Sequence, residues 1–254
     1  MRIGLKFSLG PGSLTGKELN DLYDRYMKFE PYVFFRNTKS AAWSEKKHRK
    51  IIEKYDGNGS LGFNDRAGNV FHVGEANKKH SYISFTITQR KDVFFPTDDD
   101  FAYILNLLPG LVSMYLYDAD YVEIQSEVFS NTLASRQWST ELLDTIKNTP
   151  FQEGVHGKEY EVRFNPGRQI LMDYSWLIAT WKMWFAPPFF KLVPKERILS
   201  FPHAFEIKQL PSGIVYVQLF ERLEESHTVD NMFRQWKWQE WLDFDALIKN
   251  QDSW

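Results

Sequence analysis

Two groups of acidic side chains have the types and spacing that could do chemistry. Asp118 and Asp120 form a D-x-D motif at the end of an expected strand, a pattern that binds metal–nucleotide complexes in glycosyltransferases. Glu221, Glu224 and Glu225 form the second group. Two carboxylates can act as general acid and general base in glycoside hydrolysis when their separation is suitable. Surface charge explains both groups equally well. A hydrolase with a dispersed carboxylate and histidine site is therefore only the alternative function.

The remaining candidate ligands do not form a recognisable metal or cofactor site. The six histidines are His48, His72, His80, His156, His203 and His227. None belongs to an H-x-x-x-H or H-E-x-x-H motif, and the chain has no cysteine for a thiolate site. Segments 56–59 and 65–69 lack the full calcium-loop pattern and are predicted to be turns, whereas acidic residues 98–100 are predicted to cap a helix. We therefore predict no metal and no cofactor.

Charge and composition narrow the class of protein. The 254 residues include 31 basic and 33 acidic side chains, a net charge of −2, which disfavours a nucleic-acid binder. Segment 1–8 lacks the apolar core of a signal peptide, and the longest apolar run, 176–190, is too interrupted to span a bilayer. The absence of cysteine fits a reducing compartment. We therefore expect a cytoplasmic protein that contacts neither membranes nor nucleic acid.

The hydrophobic periodicity predicts an α+β fold with a mainly antiparallel sheet and flanking helices. Ile3, Leu5 and Phe7 alternate with polar residues in the first strand, and Thr15 with Glu18 resembles a helix-capping box. Further strands are predicted at 82–88, 112–117, 121–124, 160–164, 205–209 and 214–221. Turns at 165–168, predicted as type II, and at 210–213 join strands without crossover helices, which is typical of antiparallel pairing.

We expect a single α+β domain spanning residues 1–254. The breaks at 148–150 and 153–157 are the best candidate boundary between two halves, and they are too short and too varied in composition for a flexible linker.

The segment 172–190 is the most aromatic part of the chain. It contains Trp176, Trp181 and Trp184, and Asp173 and Lys182 are its only charges. Burying one such ring removes roughly 150–250 Å² from water, so we predict that the three tryptophans are largely buried. Periodicity does not decide between a strand and a helix here.

The C-terminal segment 228–249 is predicted to be one helix that is apolar on more than one face. At roughly 100° per residue, Trp238 and Trp241 lie on neighbouring faces, whereas Trp236 points away from both. Exposed rings beside a cation are typical of interface anchors, so Arg234, Trp238 and Trp241 are the candidate partner contacts. A helix that is buried on two sides is the alternative explanation.

The tryptophan segment and the residues after it resemble a known family. Residues 174–176, residues 181–185, the Pro194-Lys195 pair and the closing hairpin are similar to the tryptophan-containing α+β immunity proteins of bacterial polymorphic toxin systems, of the immunity protein 52 type. The resemblance covers less than a third of the chain, mainly 174–221. It implies a cytoplasmic protein that binds and neutralises a cognate toxin domain without catalysis. A structural or phage interaction protein is a third interpretation.

Overall fold

The computed structural model describes residues 1–26, 30–77, 80–88, 110–126, 138–154 and 157–250. Its strands are β1 Arg2–Leu9, β2 Pro31–Arg36, β3 Lys39–Ala42, β4 Leu61–Asp65, β5 Val70–Asn77, β6 His80–Thr88, β7 Leu111–Asp118, β8 Phe151–Gly154, β9 Gly157–Tyr160, β10 Gln169–Leu171, β11 Trp176–Ile178, β12 Lys182–Phe185, β13 Glu206–Gln209 and β14 Val215–Gln218. Its helices are α1 Gly16–Tyr26, α2 Glu45–Glu53, α3 Ala119–Ser126, α4 Thr140–Asp144, α5 Lys195–Leu199, α6 Val229–Leu242 and α7 Phe244–Lys249. The helix predicted after residues 98–100 lies outside this described part.

An antiparallel sheet organises the fold, and the α+β prediction is confirmed. Among the described residues it has ten strands, in the order β13-β14-β12-β7-β1-β6-β5-β4-β2-β3. The central strand β1 pairs with β6 on one side and with β7 on the other, and Phe7 lies opposite Met114. Strand β7 also pairs with β12, so strands from before and after residues 148–157 share this sheet.

Helices α1 and α2 pack against each other at the N-terminal half of the sheet. The predicted capping interaction is present, because the Thr15 backbone N–H donates to Glu18 Oε2 at 2.9 Å. At the start of α1, a Cβ on Gly16 would overlap the carbonyl oxygens of Ile52 and Glu53. Glycine is therefore needed at this position for the close approach of the two helices. Within the described residues, no helix is both long and apolar enough to cross a bilayer.

The tryptophan segment forms two strands rather than a helix. Strand β12 belongs to the main sheet, whereas β11 pairs with β10 in a separate hairpin. Trp181 and Trp184 are buried, as predicted, and Trp176 is partly buried. Pro187 begins a short 3-10 helix, Pro187–Lys191, so the proline pair ends the strand as expected.

Two predicted strands are wrong. Segment 121–124 lies in helix α3, in which Tyr121, Val122 and Ile124 are all buried. A short helix that is buried on most sides has no clear period, so its pattern also fits a strand. Segment 160–164 contains only the end of β9, and Val162–Phe164 is a 3-10 helix.

The turn at 165–168 exists but is not type II. The Arg168 N–H donates to the Asn165 carbonyl oxygen at 3.3 Å, and Gly167 does not adopt the positive φ that type II requires. A Cβ on Gly167 would overlap the ring of Tyr121. Close packing, rather than turn geometry, therefore explains this glycine.

The C-terminal segment forms two helices instead of one. Asp243 adopts a left-handed conformation with φ 58° and ψ 56°, which ends α6. The Asp243 carboxylate then accepts a hydrogen bond from the Ala246 N–H at 3.2 Å and caps α7. Aspartate tolerates this backbone conformation better than most residues, because its short side chain can bond locally.

Candidate functional site

Helix α6 buries polar side chains against the rest of the protein. Asn231, Gln235 and Gln239 all face inward, alongside Trp238. The Asn231 amide donates to the Glu225 carbonyl oxygen at 2.9 Å, and the Gln235 amide donates to the Ser226 carbonyl oxygen at 2.7 Å. These bonds fix the helix to the loop before it, because buried amide groups are costly to leave without partners.

The opposite face of α6 exposes an apolar stripe. Val229 is 82% exposed, Phe233 52% and Trp236 46%. Their spacing of four and then three residues places them on one side of a helix. A helix that packs only against its own domain normally has the reverse arrangement, with apolar residues inward and polar residues outward. Helix α6 departs from this arrangement in part, because amide side chains share its buried face with Trp238 and Leu242 while the apolar stripe is exposed.

The stripe forms one side of a groove, and a loop forms the other. The groove has a volume of about 570 Å³, and Phe164, which is 57% exposed, stands on the loop side. Its other lining residues are Thr145, Asn148, Thr149, Pro150, Asn165, Pro166, Val229, Met232, Phe233 and Trp236. No charged side chain is among them. The groove thus offers aromatic and aliphatic contacts within an uncharged polar rim.

Hydrogen bonds from several elements position the loop wall of the groove. The Asn165 amide donates to the Gln125 carbonyl oxygen at 2.7 Å, and Thr149 Oγ1 donates to Asn165 Oδ1 at 2.8 Å. From α6, the Gln239 amide donates to the carbonyl oxygens of Asn165 and Pro166. The two walls are therefore connected through buried polar contacts. A groove built in this way is formed before any partner arrives.

The three residues predicted as partner contacts are not on one surface. Trp238 is only 1% exposed, and its ring lies 5.0 Å from that of Phe201, so its predicted exposure is wrong. Trp241 is 36% exposed, and its indole N–H donates to the Arg197 carbonyl oxygen at 2.6 Å. Arg234 lines a concavity beside Phe233. Only Arg234 adjoins the exposed stripe.

Val229, Phe233 and Trp236 were not among the partner contacts predicted from the sequence. Their i, i+4, i+7 spacing was visible, but such a stripe normally marks the face that turns toward the core. The inward glutamines, in contrast, look like solvent-facing residues in the sequence. The sign in the sequence that this face could be exposed was that Trp236 points away from Trp238.

A separate cleft of about 770 Å³ brings acidic residues together. Asp118 and Asp120 line it with Glu224, so members of both acidic groups from the sequence meet here. Glu141 and His227 lie in the same lining. Across the described residues, no set of three or more such side chains has the geometry of a metal site.

Asp118 is the acid of this cleft whose pKa is raised. Burial raises the pKa of Asp118 to about 6. Its Oδ1 accepts the backbone N–H groups of Asp120 at 3.0 Å and Tyr121 at 3.1 Å, which caps α3. Asp120 is paired with Arg2, whose Nε lies 2.6 Å from Asp120 Oδ1. Both carboxylates thus have structural contacts, although a carboxyl group with a pKa near neutrality can also transfer protons.

Lys6 is another buried group with a strongly shifted pKa. Its Nζ donates to Gln169 Oε1 at 2.5 Å and lies 3.8 Å from the centre of the Trp176 ring. Burial lowers the pKa of Lys6 to about 7. The contacts connect β1 to the β10–β11 hairpin, and the Trp176 N–H adds a bond to Ser8 Oγ at 2.9 Å.

No protein-family model matches this chain, and no curated protein matches it. The function of the groove and of the acidic cleft is therefore inferred from their geometry.

Proposed function

We propose that this protein is a cytoplasmic immunity protein, which binds and neutralises a cognate bacterial toxin domain without catalysing a reaction. The observation that supports it best is the exposed apolar stripe of α6, formed by Val229, Phe233 and Trp236, on a helix whose amides are buried and hydrogen-bonded. The resemblance of residues 174–221 to immunity proteins suggests the kind of partner.

The exposed stripe favours a protein partner on energetic grounds. Apolar surface gains about 25 cal/mol for each Å² removed from water, so exposed rings in one groove are a source of binding energy. Aromatic anchors dominate many protein interfaces, and uncharged polar residues around them exclude water. The groove has this composition, because the aromatic residues Phe233 and Trp236 line it together with the uncharged polar residues Thr145 and Asn148.

The fixed geometry of the groove suits an inhibitor. Because buried hydrogen bonds from Gln239 and Thr149 already position the loop wall, binding requires little ordering of this side. A toxin domain can then be held tightly by a limited surface, and no cofactor is required.

The proposal is tested with the toxin domain that a neighbouring gene encodes. Bacteria would express this domain together with the wild-type protein, Trp236→Ala or Trp241→Ala, and survival and complex formation would be measured. Trp241 is the matched control, since it lies on the same helix and is exposed to a similar degree. We expect Trp236→Ala to lose protection while its melting temperature is unchanged. Trp241→Ala should still protect the cells.

Two other outcomes would count against this assignment. If the wild-type protein neither forms a complex nor protects the cells, the immunity function is refuted. If Trp241→Ala loses binding while Trp236→Ala retains it, the contact surface is the one expected from the sequence and not the groove.

A hydrolase is the second candidate, and the acidic cleft is the observation that favours it. In this candidate, Asp118, whose pKa is about 6, would act as the general acid, and Asp120, Glu141 and Glu224 line the same cleft. The wild-type protein and Asp118→Asn would be assayed on a panel of glycosides and phosphate esters. Hydrolysis that disappears in Asp118→Asn supports this candidate, and an inactive wild-type protein contradicts it.

A further inference from the structure

A second concavity adjoins the apolar groove and has a different chemistry. It has a volume of about 390 Å³ and is lined by Pro202, His203, Ala204, Asp230, Phe233 and Arg234. Phe233 lines both depressions, so an uncharged groove and a charged concavity share this residue. A partner segment that crosses this ring meets both environments within a few residues.

Arg234 is the cation of this second concavity. Its Nη1 donates to the Leu219 carbonyl oxygen at 3.2 Å, and it forms no ion pair with any residue in the described part of the chain. A guanidinium group has five N–H donors in a planar arrangement, so most of its donors stay available. A carboxylate matches this arrangement with two parallel hydrogen bonds.

The other charged groups nearby do not satisfy Arg234. Asp230 lies one helical turn earlier but is exposed to solvent and is not paired with it. Lys237 lies 5.4 Å from the centre of the Phe233 ring and is paired with Glu240 at 2.7 Å. His203 meets the Phe233 ring edge-on at 6.5 Å. The concavity therefore contains a partly buried cation, Arg234, and an exposed anion, Asp230.

A partner gains more by pairing with the cation than with the anion. Arg234 is partly buried and donates to the Leu219 carbonyl oxygen, whereas Asp230 is exposed to solvent. Charge pairs that are shielded from water contribute more to binding than pairs at an exposed rim. This difference identifies the favoured charge on the partner.

We infer that the partner segment carries an Asp or Glu side chain that pairs with Arg234, together with a large apolar side chain that enters the groove across Phe233. This inference rests on the proposed function of the groove. Because Phe233 lines both depressions, we expect the two partner residues to be close in sequence, two apart in a strand or three to four apart in a helix.

The test uses a random-peptide library displayed on phage, selected on the wild-type protein, Arg234→Gln, Asp230→Asn and Trp236→Ala. Peptides selected on the wild type and on Asp230→Asn should combine an acidic residue with a nearby Phe, Trp or Leu. Arg234→Gln should lose the acidic preference and keep the apolar one, and Trp236→Ala should lose the apolar one. For one selected peptide, replacing the acid by its amide should weaken binding to the wild type at least about tenfold and barely affect Arg234→Gln.

The selection tests the acidic residue of the partner and the binding role of the groove separately. Peptides that need Trp236 but show no acidic preference, or a basic preference that depends on Asp230, would overturn the inference and leave the groove in place. A selection that yields no peptide dependent on Trp236 would overturn both the inferred acidic residue and the binding role of the groove. Circular dichroism of each variant checks that the fold is retained.

Discussion

Gln239 connects the helix that carries the exposed stripe to the loop that carries Phe164, because its buried amide donates a hydrogen bond to the Asn165 carbonyl oxygen at 3.3 Å. The same amide also reaches the Pro166 carbonyl oxygen. One side chain on the inner face of α6 thereby sets the spacing of a groove on its outer face.

Replacing this glutamine should destabilise the protein. In Gln239→Leu, the buried Pro166 carbonyl oxygen loses this donor and the Asn165 carbonyl oxygen keeps only the Arg168 N–H, which should cost about 1–3 kcal/mol in the free energy of unfolding. Urea denaturation measures the loss. Gln209→Leu, at an exposed position of β13, is the control and should change stability by less than about 0.5 kcal/mol. Equal effects of the two substitutions would contradict the connecting contact.

The two tryptophans of α6 on opposite faces should behave differently. Trp238 packs on Phe185 and Phe201 in the core, so Trp238→Ala should lower the free energy of unfolding by about 3–5 kcal/mol. Trp236→Ala removes an exposed ring and should change it by no more than about 0.5 kcal/mol. Urea denaturation of both variants is the measurement. A large loss in Trp236→Ala would show that its ring is part of the core.

Lys6 should make the protein more stable as the pH rises above neutrality. Its pKa is about 7 in the fold and about 10.4 in an unfolded chain, so the unfolded state binds more protons between these values. Relative to Lys6→Met, the wild type should gain on the order of 4 kcal/mol from pH 7 to about pH 10. Lys39→Met, on the exposed edge strand β3, is the control. Parallel pH profiles of wild type and Lys6→Met would contradict the buried amine.

Asp118 should have the opposite effect on stability at acidic pH: it should make the protein less stable as the pH rises. Its pKa is about 6 in the fold and about 3.9 in an unfolded chain, so the folded state binds more protons between these values. The stability that this group contributes is complete below about pH 4 and is lost as the pH rises through 6. Relative to Asp118→Asn, the wild type should therefore lose on the order of 3 kcal/mol over this window. Urea denaturation at several pH values measures it, and a constant difference would refute the raised pKa.

Local patterns in the sequence predicted much of the fold. Alternation in Ile3, Leu5 and Phe7 indicated β1, and the turn at 210–213 indicated the β13–β14 hairpin, because strand pleat and tight turns depend on neighbouring residues. The capping contact of Thr15 with Glu18 was predictable for the same reason. Helix α3 was not, since a short helix buried among other elements has no polar face to reveal its period.

By itself, the sequence determined which residues of α6 share a face, since the helical repeat places Val229, Phe233 and Trp236 together and Trp238 elsewhere. Only the tertiary structure decided which of these faces meets solvent. The carbonyl oxygens of Asn165, Glu225 and Ser226 come from distant or irregular backbone, and they accept the amides of the inner face. Because satisfying buried polar groups depends on partners that no local pattern specifies, the helix lies with its glutamines and Trp238 inward and with Val229, Phe233 and Trp236 outward.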